Sequence, residues 1–171
     1  MKKIILTYGF ISGGIAAALM LGMALYIGND PANFGKGEIF GYTGILISMV
    51  LVFLGVRAYR EQVAGGRLSF IQGFQVGILI TVISCLCYMV AWQIIYRTMM
   101  PDFMNQFADY SLNQMKKDGA SASEIATKTA EMEHFRELYK NPLFNMAITF
   151  LEPFPVGLLV TLASAGILRK K

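Results

Sequence analysis

The stretch LFNMAITFLEPFPVGLLVTLASAGIL, residues 143–168, decides the fold. A hydrocarbon core of ~30 Å needs about 20 mostly apolar residues in a helix, and this run supplies them. Within it lies Glu152-Pro153-Phe154-Pro155, a carboxylate followed by two residues that lack a backbone donor. Ionisable groups at membrane depth are costly, so Glu152 is the first candidate for a functional site.

Three further apolar runs match the first in length: residues 4–27, 39–56 and 70–96. The whole chain of 171 residues is 55% hydrophobic and only 15% charged, with a mean hydropathy of +0.51. A soluble domain of this size has too little interior to hide so much apolar surface, whereas lipid solvates it. The first run follows Lys2-Lys3 and resembles a signal peptide only superficially. It exceeds the ~7–15 residues of such an apolar region and ends without a small-x-small cleavage site, so a retained span is expected. These runs predict an all-α integral membrane four-helix bundle, a single membrane domain over residues 1–171.

Charge sets the expected orientation. With both termini cytoplasmic, the inner side carries Lys2, Lys3, Arg57, Arg60, Arg67, Arg169, Lys170 and Lys171 against Glu61 alone. The outer side carries seven basic and nine acidic residues, Asp30 and Glu38 among the acids, most of them in the long third loop. This obeys the positive-inside rule and implies a multi-pass membrane protein with both termini cytoplasmic. The net charge of +4 has no basic stripe interleaved with aromatics, which argues against nucleic acid as a partner.

Residues 101–141 form the substantial extracytoplasmic insert. Phe103, Phe107, Tyr110, Ser111, Leu112 and Met115 recur at near-helical spacing before Asp118-Gly119, where glycine suits a helix C′ position. Ser121-x-x-Glu124 reads as a capping box opening a second helix, with Ile125, Thr129, Met132, Phe135 and Tyr139 on one stripe. Asn141-Pro142 ends it. An extracytoplasmic helical hairpin between spans three and four is expected, lying on the outer surface or standing above it.

Small residues four apart are expected to bring span backbones together: Gly9 with Gly13, Gly14 with Ala18 and Gly22, and Gly73 with Gly77 and Thr81. Packing within the chain is the preferred reading, and a homodimer seam the other. Cys85 and Cys87 point to different faces of one helix and read as small apolar residues. His134 reads as a surface residue, and Met99, Met100, Met104 and Met132 beside it as apolar filling rather than a copper(I) site. No metal and no cofactor is expected.

The height of Glu152 can be counted. It stands 17 residues above Arg169, roughly 25 Å along a helix, in the outer third of the membrane. A helix bend is expected at Pro153 and Pro155. Gln93 and Arg97, i and i+4 near the outer end of the third span, are the candidate partners of the acid, and a Glu152–Arg97 clamp between spans three and four is the structural reading. The functional reading makes Glu152 a proton or cation site where a broken helix lines a cavity.

Several local strings also carry a family likeness: Lys2-Lys3-Ile4 with Tyr8-Gly9, Leu68-Ser69-Phe70 with Gly73-Phe74, Pro101-Asp102-Phe103, Leu138-Tyr139-Lys140-Asn141-Pro142, and Thr149-Phe150-Leu151-Glu152 with Pro153 to Gly157. Over essentially the whole chain they resemble a bacterial group of small four-span membrane proteins, catalogued as a domain of unknown function (number forty-one ninety-nine). The resemblance implies four spans and inner-membrane residence, and brings no catalytic residue with it. The resulting expectation is non-enzymatic: a membrane interaction or assembly subunit that meets the lipid bilayer and a membrane or periplasmic protein partner, or a homo-oligomer. The alternative is a small transporter or proton-coupled channel using Glu152.

Overall fold

A computed structural model describes residues 1–27 and 33–170. Asp30 and Lys171, which enter the charge argument, lie outside the described residues. Seven helices follow in order: α1 (Lys2–Ile27), α2 (Phe34–Gln62), α3 (Phe70–Thr98), α4 (Phe103–Lys117), α5 (Ala122–Tyr139), α6 (Pro142–Leu151) and α7 (Phe154–Ile167). Four stretches are long and apolar enough to cross a membrane, namely α1, α2, α3 and the α6–α7 pair. Most lipid-facing surface is aliphatic or aromatic, as in Ile39, Phe40, Ile71, Leu143, Leu159 and Ile167. The protein is a helical membrane bundle.

The helices outrun the apolar runs because backbone hydrogen bonding continues past the hydrocarbon. The second run, 39–56, sits inside the 29 residues of α2, and α3 also has 29 residues, ~43 Å of helix. A capping box begins α3: Ser69 accepts from the Gln72 backbone amide while the Gln72 side chain accepts from the Ser69 amide. Gln72 thus closes the start of the third span rather than facing solvent as a free amide.

The third span is the hub, packing on α1, α2, α6 and α7. Glycines let the backbones close. A Cβ at Gly9 would meet Ile83 at 2.8 Å, one at Gly73 would meet the Ala165 Cα at 3.1 Å, and one at Gly77 would meet Thr161 at 2.8 Å. Two of the three small-residue patterns therefore serve packing inside the chain. The third, Gly14, Ala18 and Gly22, faces outward. Hydroxyls fasten the same seams: Ser12 donates to the Ser48 carbonyl at 2.8 Å and lies 2.9 Å from the Ser84 hydroxyl, joining α1, α2 and α3. Thr81 pairs with Thr161 at 3.1 Å, joining α3 to α7. At the far end, Leu68 and Lys170 exchange two backbone hydrogen bonds of 2.9 Å, tying the α2–α3 loop to the C-terminal segment.

Both arms of the insert are helical. Gly119 adopts φ +80°, Ala120 donates to the Met115 carbonyl, and Ser121 with Glu124 forms the expected capping box. Hydrogen bonds from the Ser121 hydroxyl and backbone hold the Glu124 carboxyl below the usual carboxylate range. The hairpin does not stand apart: Phe34, at the start of α2, packs its ring against Phe103, Phe107 and Tyr110 of α4 with centroids 5.6, 6.4 and 5.8 Å away. Phe103 also meets Trp92 edge-on at 4.9 Å. Met104, absent from the stripe read in the sequence, is buried beside them.

Candidate functional site

One face of α3 carries a ladder of polar contacts to the segment that returns from the hairpin. Starting from the hairpin end, Gln93 Nε2 donates to Asn145 Oδ1 at 2.5 Å and Trp92 Nε1 donates to the Tyr139 hydroxyl at 2.7 Å. The Tyr88 hydroxyl donates to Glu152 Oε2 at 3.1 Å, and Thr81 donates to the Gly157 carbonyl at 3.3 Å. Each rung couples a buried or half-buried donor on α3 to an acceptor in α5, α6, the Glu152 turn or α7, as apolar surroundings require.

This register overturns the Glu152–Arg97 clamp. Arg97 lies nine residues beyond Tyr88, ~13 Å along the axis, on the last turn of a helix longer than the hydrocarbon core is thick. It is exposed and forms no ion pair among the described residues. With Gln93 at Asn145 and Tyr88 at Glu152, the antiparallel register carries Arg97 past the acid. Gln93 is equally drawn away, to Asn145. The partner of the acid is Tyr88, whose sequence signal was its place seven residues from Thr81 and four from Trp92 on the inward face.

The prolines divide the fourth span instead of bending a continuous helix. Helix α6 ends at Leu151, Glu152 and Pro153 form a turn, and α7 begins at Phe154 with Pro155 in its first turn. Proline is tolerated at that position, where its missing donor has no intrahelical partner. Pro153 is fully buried. The break sets the Glu152 side chain at the edge of a cavity of about 240 Å³ under the hairpin.

Three kinds of surface line this cavity. Met23, Ile27 and Phe34 form an apolar wall, Phe103, Phe107 and Phe135 a roof, and Glu38, Tyr42, Tyr88, Tyr110, Tyr139 and Glu152 supply two carboxylates and four phenols. Burial pushes the Tyr139 phenol up to about 12, opposed by hydrogen bonding to Trp92 and Thr149, so the roof keeps a neutral hydroxyl. Exposed Glu38 and Tyr42 of α2 and exposed Ile148 and Glu152 of the fourth span border the open side. That opening arises because α2 packs on α7, whereas α6 packs on α3 and α5. Towards the other end the bundle closes: a Cβ at Gly157 would strike Thr81 and Met49, and Val52, Ile80, Thr81 and Thr161 have no exposed surface.

A family model covers residues 7–170, nearly the whole chain, including every residue of the cavity. The chain belongs to the family described as protein of unknown function, DUF4199. No curated protein and no solved structure matches it. In this DUF4199 protein the cavity joins the interrupted span to the hairpin. No group of three or more His, Cys, Asp or Glu side chains suited to a metal ion occurs among the described residues. The cavity has the make-up of a small-molecule site: mostly apolar, with a few convergent polar groups.

Proposed function

We propose that this DUF4199 protein is a non-enzymatic membrane protein that holds a small lipophilic cation in the roofed cavity, with Glu152 as the counter-charge. The reading adopts the transporter-like alternative over the assembly subunit. Its main support is the cavity itself, which puts an acid of the fourth span beside a single hydroxyl donor and leaves open volume around it. A carboxylate held among apolar and aromatic walls, with no basic side chain within salt-bridge distance among the described residues, calls for a proton or a cation to share its site. Aromatic faces overhead suit a cation further. The assembly reading rests on apolar outward faces, which a bilayer covers equally well.

The basic residues near both termini and in the α2–α3 loop support cytoplasmic termini, which in the bacterial inner membrane that the family likeness implies makes the hairpin a periplasmic roof. Closure of the bundle beyond Gly157 supports a binding or one-side-open carrier state over a continuous pore. Equilibrium dialysis of benzyltrimethylammonium, a cation small enough for the cavity, against the purified full chain tests the reading. Glu152→Gln is expected to weaken binding about tenfold, ~1.4 kcal/mol, and Tyr88→Phe to weaken it less. Equal binding by wild type and Glu152→Gln sinks the proposal.

A further inference from the structure

At the end of the bundle opposite the hairpin lies an open groove of about 750 Å³. It runs between the α2–α3 loop and the C-terminal segment, and among the described residues its lining includes Arg67, Arg169 and Lys170 but no acid. We propose that this groove binds the phosphate headgroup of an anionic phospholipid, with an acyl chain laid over Phe70 and Ile71. The claim is independent of the cavity around Glu152.

Four observations converge. The three cations are exposed, and none is in an ion pair among the described residues. The acid nearest in sequence, Glu61, is already engaged by Arg57 at 2.9 Å and Arg60 at 3.3 Å. The backbone holding the cations is fixed, because Leu68 is buried and its two hydrogen bonds to Lys170 clasp the loop to the tail. Finally, the groove turns from charged to apolar along its length: Ile71 is 68% exposed, and Phe70 stacks on Phe74, continuing the apolar strip up α3. Guanidinium groups match phosphate oxygens in paired hydrogen bonds, and basic pockets between spans recruit anionic headgroups. A free phosphate would use the cations and leave the strip idle. A phospholipid uses both.

The test is native mass spectrometry of the purified full chain with phosphatidylglycerol and phosphatidylcholine at equal concentration. Wild type is expected to retain phosphatidylglycerol over phosphatidylcholine by on the order of tenfold. Arg67→Gln/Arg169→Gln/Lys170→Gln should bring that ratio near unity, and Arg67→Gln alone, which leaves the backbone clasp untouched, to an intermediate value. The control Lys116→Gln/Lys117→Gln/Lys128→Gln removes as much charge from the hairpin and should keep the wild-type ratio. An unchanged ratio in Arg67→Gln, or an equal loss in the hairpin control, overturns the site. Displacement of the lipid by millimolar inorganic phosphate would assign the groove to the bare anion and overturn the lipid claim.

Discussion

Near Gly73, Gly77 and Gly157 the bundle is drawn shut by small residues, with hydroxyls of Thr81 and Thr161 meeting where side chains would otherwise hold the helices apart. At the hairpin end, Phe34 packs on Phe103 and Phe107, Trp92 meets Phe103 edge-on, and a cavity lined by the three phenylalanines remains. Both ends are apolar and both are well connected. They differ in the size of the residues at the seam. Glycine and threonine give backbone-to-backbone contact and a dry interior, whereas rings reach across a gap without filling it. Glu152 sits at the changeover, with Gly157 just beyond it.

The largest effect is expected from the ring that anchors the roof. Phe34→Ala removes the side chain against which Phe103, Phe107 and Tyr110 pack, at a cost of about 3–5 kcal/mol. Hydrogen exchange across residues 103–117 should rise while α3 and α7 stay protected; uniform protection would mean that the hairpin is held elsewhere. Next comes the closed end. Gly157→Ala places a methyl against Thr81 and Met49, and about 1–3 kcal/mol of overpacking is expected as a lower melting temperature in detergent. A melting temperature at or above wild type would show that the seam has slack. Arg97→Gln should be nearly silent, within about 0.5 kcal/mol, since the residue is exposed and unpaired among the described residues. A loss comparable to that of Gly157→Ala would restore a role for Arg97 in joining the spans.

The architecture was readable from sequence because lipid solvation leaves a coarse signal: long apolar runs, basic flanks, and the Gly119, Ser121 and Asn141 punctuation of the hairpin. The partner of Glu152 was not readable. Pairing depends on the antiparallel register of α3 and the fourth span, in which Gly73 lies against Ala165, Thr81 against Gly157, Tyr88 against Glu152 and Gln93 against Asn145. That register brings Tyr88 level with the acid and carries Arg97 beyond it, and no residue pattern in either apolar run announces it. Tyrosine on an inward face also passes for ordinary core. The cavity was further from view, since it depends on Phe34 and the hairpin being held together across some seventy residues of sequence.

The interruption at Glu152-Pro153 has a mechanical consequence. Prolines at 153 and 155 withhold the amides that the carbonyls of Thr149 and Leu151 would meet in an unbroken helix. Rotating α6 against α7 at that joint therefore sacrifices little of the helical hydrogen-bond ladder. Because α6 is held against α3 as well as α5, any swing at that joint must first part the Gln93–Asn145 and Trp92–Tyr139 hydrogen bonds, which therefore act as the latch on a pivot placed beside the carboxylate.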